Sequence, residues 1–349
     1  MPFDATGDLF SKYFDAVATK GAALLLATLP AYVVLATMWE YYALKPGERS
    51  VRRAFGRVFP REDFQCVTFR SDLFCLFAAP LFKRPIVGTL TRLLIAVGAA
   101  EVGVTFLNDT FGPPGYLMTW VPAIILLQTL ALYLSDEFTV YFIHVLQHKV
   151  PILWASHRTH HSAEALTPLT ATSRQTILPL PTDYLAILPI DFAIKGVVLG
   201  TVLYFSTPTL HQYALAAMGY IMVVVVLNEY FAHGRPRISL GGFNRIWVAP
   251  VLHQIHHSAE PQHRDRNFGR SLSVFDWMFG TLYVPAPDET WRLGLDPSEL
   301  GAANPHARIR DYLFEPWRYA WACLRGRPPG RTAPASTLEA GALGRKHAV

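Results

Sequence analysis

Charge is what this 349-residue chain has least of. Asp, Glu, Lys and Arg make up 16% of it, against about a quarter in a soluble globular domain. Hydrophobic residues reach 51%, so an ordinary cytosolic enzyme, a disordered chain and a coiled coil are excluded together. Cysteine is scarce too: Cys66, Cys75 and Cys323 stand at no metal-type spacing and cannot form a disulfide framework. No GxGxxG fingerprint occurs, and no HExxH zinc-hydrolase helix. The net charge of +5 is modest and its basic groups sit in loops. They fit membrane-topology signals better than a nucleic-acid surface, so no nucleic-acid partner is expected. The N-terminus lacks the basic region and cleavage pattern of a secretory signal. What remains is an integral membrane protein.

Gly21 to Trp39 carries no charge over 19 residues, about the length of one helical span. Lys45, Arg49, Arg52, Arg53, Arg57, Arg61 and Arg70 follow, and the positive-inside rule sets that loop in the cytoplasm. Leu73 to Phe82 is apolar but too short to cross, which predicts an interfacial or packed segment. Ile86 to Phe106 crosses if Arg92 snorkels and Glu101 finds a partner. Pro113-Pro114-Gly115 turns the chain, and Thr110 to Ser135 supplies the next span. Ile177 to Phe205 and Leu210 to Leu227, broken at Ser206-Thr207-Pro208-Thr209, read as a hairpin out and back. Parity then puts Asp136 to Gln175, and everything after Glu229, on the cytoplasmic face. Residues 1–114 form an N-terminal membrane region with its basic loop, and 115–290 a histidine-bearing domain with an embedded hairpin. Residues 291–349 form a cytosolic segment, rich in Gly, Pro and Arg and disordered from about Arg325.

Thirteen histidines are present, and eight fall into three short boxes. These are His144-Val-Leu-Gln-His148, His157-Arg-Thr-His160-His161 and His253-Gln-Ile-His256-His257. A lone histidine is ordinarily a satisfied core or surface residue. Three boxes that each hold a pair four residues apart are not chance at this abundance. Residues four apart stack on one helical face, so each such pair reaches one region of space. Neighbours such as His160 and His161 differ by roughly 100° around the axis, which suits two metals side by side better than one. Eight imidazoles also exceed what one ion accepts while keeping a position open, so two metals with four or five nitrogens each are expected. Imidazole suits iron, copper and zinc alike. An all-nitrogen pair where membrane helices meet the cytoplasm fits iron and dioxygen best, because attack on an unactivated C–H bond is beyond any side chain alone. His211, at the far end of the hairpin, reads as structural, and His306 and His347 as solvated.

The boxes HVLQH, HRTHH and HQIHH, the last two each followed by Ser, resemble those of the fatty acid hydroxylase/sterol desaturase superfamily, the membrane-bound histidine-box di-iron oxygenases. His256 to Pro285 resembles that family's closing segment, and Asp136 to His161 its opening one; together the likeness covers about residues 115 to 290. It implies an all-α membrane fold of about 4–5 spans in helical hairpins, capped by a cytosolic helical domain that holds the dimetal site. It further implies two iron ions, with zinc able to substitute, and dioxygen as co-substrate. The substrate would be a sterol, fatty acyl or isoprenoid lipid, hydroxylated or desaturated. Electrons would come from an external ferredoxin, cytochrome or reductase, and the protein would sit in a bacterial inner membrane or the endoplasmic reticulum.

His233 matches a family position that supplies an additional ligand. Glu229, four residues earlier with Asn228 beside it, either binds or orients a ligand or is a boundary acid. His263, Asp265 and Asn267 look like the family's histidine-acid-Asn-Phe-Gly element, whose expected role is hydrogen bonding to ligand imidazoles. Asp136 and Glu137 either do the same or are solvated. Lys149 stands where an arginine is common, and Ser173-Arg174-Gln175-Thr176 replaces a common arginine-histidine-proline element, so substrate does not transfer by analogy. The alternatives are a catalytically silent relative and a membrane protein whose histidines form a structural or transport metal site.

Overall fold

The computed structural model describes residues 22–82, 85–114, 118–173, 180–206, 224–296, 304 and 306–326. The first twenty-one residues, most of the Leu210 to Leu227 limb, His211, His347 and the tail beyond 326 lie outside the described residues. Every regular element among the described residues is helical, with two isolated bridges, Trp247 to Leu272 and Ser258 to Leu293. The helices are α1 (Ala22–Ala43), α2 (Val51–Val58), α3 (Arg61–Gln65), α4 (Val67–Phe82), α5 (Pro85–Phe111) and α6 (Val121–Lys149). They continue with α7 (Pro151–His161), α8 (Pro168–Ser173), α9 (Pro181–Tyr204), α10 (Pro250–His256), α11 (Val274–Met278) and α12 (Ile309–Leu324). A further helical stretch covers 224–232.

α6 sets the frame. Pro122 lies in its first turn, where a missing N–H costs nothing, and no charge interrupts it before Asp136. Among the described residues it is the one helix long and apolar enough to cross a membrane. It does not stop at Ser135, where the sequence suggests an end, but continues to Lys149, so the apolar span and the first histidine box are one rod. Pro151 then restarts the chain as α7, which carries the second box.

α5 and α9 pack tightly through small residues. A Cβ added at Gly200 would lie 2.9 Å from Gly103 Cα and 3.3 Å from the Ala100 carbonyl oxygen. Close backbone approach through Gly and Ala is how apolar helices associate where lipid removes the hydrophobic incentive. Leu199 also buries against Ala100, Ala131 and Leu132, which joins this pair to α6. Gly200→Val is therefore expected to force α5 from α9, at an overpacking cost of about 1–3 kcal/mol. A lowered melting temperature in detergent checks this; an unchanged one would contradict the packing.

The helices that carry the boxes are held from two sides. Tyr32 and Ala36 of α1 bury against Val58 and Tyr230. On the other side Trp154 and Ala155 of α7 meet Tyr319 and Ala320 of α12, and Arg158 pairs with Glu315 at 3.0 Å. His306, expected in solvent, is instead fully buried. Its ring lies 3.4 Å from Thr159 Oγ1, and its carbonyl accepts the Ser71 hydroxyl at 3.1 Å. His306, just before α12, thus packs against α7, which sequence polarity does not reveal.

Candidate metal centre

Nine histidines converge in two adjoining groups. His144, His148, His157, His161 and His256 form one, and His160, His233, His253 and His257 the other. Within each, one ligand atom per residue lies within 4.8 Å of all the rest, and each group could hold a metal ion. Each adjacent pair is divided between them: His161 and His256 face the first group, His160 and His257 the second. The groups touch where His161 stacks on His257 at a centroid distance of 4.4 Å. Box one comes from α6, box two from α7, box three from α10 and its C-cap, and His233 from the turn after 224–232.

The tautomers follow from the hydrogen bonds. A carbonyl oxygen only accepts, so a ring nitrogen facing one carries the proton. His144 donates from Nδ1 to the Phe268 carbonyl at 2.7 Å, His256 to that of Arg266 at 2.8 Å, and His233 to that of Glu229 at 2.9 Å. A neutral imidazole has one proton, so these three Nε2 atoms carry lone pairs. Yet Nε2 of His144 lies 2.8 Å from Nε2 of His157, and Nε2 of His233 lies 3.1 Å from those of both His160 and His253. His148 to His161, His161 to His157 and His257 to His253 give 3.2, 3.1 and 3.1 Å. For metal–nitrogen bonds of about 2.1 Å, ligands at right angles stand about 3.0 Å apart and tetrahedral ones about 3.4 Å. The observed spacings match right-angled neighbours around a common ion.

Burial keeps these rings neutral. It lowers the His157, His161, His253, His256 and His257 pKa values well below the ordinary one, and neighbouring imidazoles lower them further. Burial takes His233 down to about 4, opposed by its bond to the Glu229 carbonyl. A ligand imidazole must be deprotonated, so the protein supplies the form a metal binds. Protons reach the unfolded imidazoles first, at their ordinary 6.5. The metal-free protein should therefore be most stable above about pH 6.5. It should lose stability as pH falls from there through the His233 value of about 4. Chemical denaturation of chelator-treated protein at pH 7.5 and 5 checks this, and equal stability at both would contradict it.

The residues around the boxes serve the loop that carries the carbonyls. Asp265 (φ 60°) and Asn267 (φ 57°) both adopt the left-handed conformation that Asp and Asn tolerate best, and they flank Arg266, whose carbonyl holds His256. Asp265 Oδ2 pairs with Lys149 at 2.6 Å, while Oδ1 lies 3.7 Å from His148 Nδ1. Asn267 binds the carbonyls of Leu252 and Tyr283 at 2.9 and 2.8 Å. Asn228 donates to the Val248 carbonyl at 3.2 Å and accepts from Trp247. His263 does not meet a box imidazole: its nitrogens go to Ser258 Oγ at 2.8 Å and Glu289 Oε1 at 2.6 Å. Glu229 Oε2 lies 3.5 Å from His233 Nδ1. Desolvation pushes its pKa up to about 7, with Arg270 opposing.

Sequence reasoning missed Arg270. It pairs with Asp136 at 2.7 Å and with Glu137, whose other oxygen accepts the Ser271 and Leu272 N–H groups at 3.0 Å each. Lys195 of α9 continues the chain, 3.5 Å from Asp136 and 2.7 Å from Asp191. The signal was there: two acids in an otherwise apolar helix require a cation. Asp136 and Glu137 thus hold the Phe268 loop and α9 rather than the imidazoles.

A cavity of about 40 Å³ opens beside His148, His161 and His256, lined also by Glu260, Arg264, Asp265 and Asp296. It has room for water-sized molecules and not for a lipid chain.

Residues 129–281, which contain all nine histidines, match the family Fatty acid hydroxylase. This match supports the likeness to the fatty acid hydroxylase/sterol desaturase superfamily that the histidine boxes carry. The chain is 27% identical over 190 residues to the alkylglycerol monooxygenase of Homo sapiens, which covers 54% of this chain and 38% of that protein. Over 157 residues it is 28% identical to the alkylglycerol monooxygenase of Xenopus tropicalis and 26% to that of Danio rerio, 45% of this chain and 30% of each. The chain thus spans about a third of the length of these curated relatives. No solved structure matches it.

Proposed function

We propose that this protein is a membrane-bound, dioxygen-dependent lipid monooxygenase whose two irons are held by the two histidine groups. The carrying observation is the convergence of Nε2 atoms at 2.8–3.2 Å, with Nδ1 of three rings tied to backbone carbonyls. Five nitrogens in one group exceed the four of a tetrahedral structural zinc site. Zinc ranks above iron(II) in intrinsic affinity, so it can occupy the isolated protein.

Bound iron supplies the one-electron and dioxygen chemistry that side chains lack. The chain's own residues position it. The Phe268, Arg266 and Glu229 carbonyls fix ring tautomers, and Asp265 with Lys149 places charge beside His148. Glu229, with its carboxyl 3.5 Å from His233 Nδ1, is placed to hold or release a proton there. The 40 Å³ opening suits water, protons and dioxygen, so the lipid enters from the bilayer side. Four to five spans with the boxes on the cytoplasmic face, and an external ferredoxin, cytochrome or reductase, complete the reading.

The similarity to alkylglycerol monooxygenases makes a glycerol ether the first substrate to offer. Hydroxylation at the ether carbon gives a hemiacetal, which breaks to an aldehyde and glycerol. Anaerobically purified protein should contain close to two irons per chain. With reductant and ¹⁸O₂ it should add one labelled oxygen to an alkylglycerol or another membrane lipid. A zinc-only protein that never turns over after iron loading would overturn this in favour of a structural metal site.

A further inference from the structure

The cap carries an exposed apolar patch that the metal centre does not use. Trp277, Met278 and Phe279 are 57%, 63% and 57% exposed, and Phe243 and Ile246 51% each. They form one surface, because Ser273 ties the two segments together through the Ile246 and Asn244 carbonyls at 3.0 and 2.6 Å. So many large exposed side chains in one place mark an interaction site.

Its height on the molecule identifies what covers it. Leu127, Leu130 and Leu134 form an exposed stripe along α6, and Phe138 and Phe142 continue it at the same helical spacing. Phe279 packs on Phe138 and Tyr141 at centroid distances of 6.4 and 5.6 Å. The patch is therefore continuous with the stripe. From exposed Val121 to exposed Phe142 is 21 residues, a rise of about 32 Å, against about 30 Å for the hydrocarbon core. Trp120, 70% exposed, then lies at one boundary and Trp277 at the other, where amphipathic rings concentrate. The rim is basic: Arg245 is exposed, and Arg266 donates to the Gly280 carbonyl at 3.1 Å. Apolar centre and cationic edge match a leaflet with anionic headgroups.

We propose that the Phe243–Ile246 and Trp277–Phe279 surface is seated in the cytoplasmic leaflet, anchoring the metal-bearing cap at the bilayer boundary. This rests on the membrane reading of α6 and adds a contact that brings the cap down onto lipid. It also puts His144, two residues beyond Phe142, just above the hydrocarbon edge.

The test uses full-length protein with Cys66, Cys75 and Cys323 replaced by Ser, in nanodiscs of phosphatidylcholine and phosphatidylglycerol. Nitroxide labels go on Met278→Cys, with Trp277→Cys as a second site. Leu126→Cys serves as a hydrocarbon reference and Asp288→Cys as a water reference. Collision with dissolved oxygen should exceed collision with a nickel chelate several-fold at 277 and 278, as at 126, and the reverse should hold at 288. Nickel access at 277 and 278, with 126 still in hydrocarbon, overturns the proposal alone. Exclusion of both reagents overturns it in favour of a protein partner such as a second copy. Water access at 126 removes the membrane reading itself.

Discussion

On the proposed two-metal reading, His253→Ala should retain one metal ion where the parent retains two, and lipid turnover should fall below detection. Nε2 of His253 is 3.1 Å from those of both His233 and His257, so it is central to the four-nitrogen group. Its removal leaves three donors and an open face of the ion. The ring is buried, so some stability is lost as well, and a control is needed. His263→Asn provides it: His263 is equally buried but bonds Ser258 and Glu289, so this variant should keep both ions. Metal analysis with circular dichroism separates the two. If His253→Ala kept two ions and normal turnover, the assignment of that group would fail.

Glu137→Ala should be the most destabilising change outside the boxes. Glu137 is 1% exposed and holds Arg270 together with two backbone N–H groups. Removing one partner of a buried pair leaves a charge uncompensated, at a cost of about 3–5 kcal/mol. Asp136 cannot take over, since it is shared with Lys195. The loss should also reach the metal site, because the loosened segment includes Phe268, which fixes His144. Replacing both charges, as Glu137→Leu with Arg270→Met, should recover part of the stability, as apolar substitutes for buried ion pairs often do. Thermal unfolding in detergent gives the ordering. A Glu137→Ala protein as stable as the parent would show the network to be dispensable.

The histidine boxes were legible because helical periodicity is local. A pair four apart, or two adjacent rings 100° apart, states its geometry within one or two turns. That alone pointed to two groups of imidazoles, whereas His233 entered only through the family resemblance. Asp136, Glu137 and His263 were harder. Each is a polar residue near a box, and proximity in sequence does not say which neighbour a side chain finds. Asp136 and Glu137 found Arg270, more than 130 positions away, and His263 found Glu289. His306 was misread for the same reason, since its burial depends on α7 folding over it.

The amino-acid order by itself determined the uncharged stretch of α6 and the pairing of imidazoles within each box, because both follow from spacing along one helix. Only the tertiary structure decided which imidazoles group together, which nitrogen of His144, His233 and His256 carries the proton and where the Asp136–Arg270–Lys195 charges meet. Those choices are made by carbonyls and counter-charges as far as 124 to 134 residues distant, and no local period encodes them.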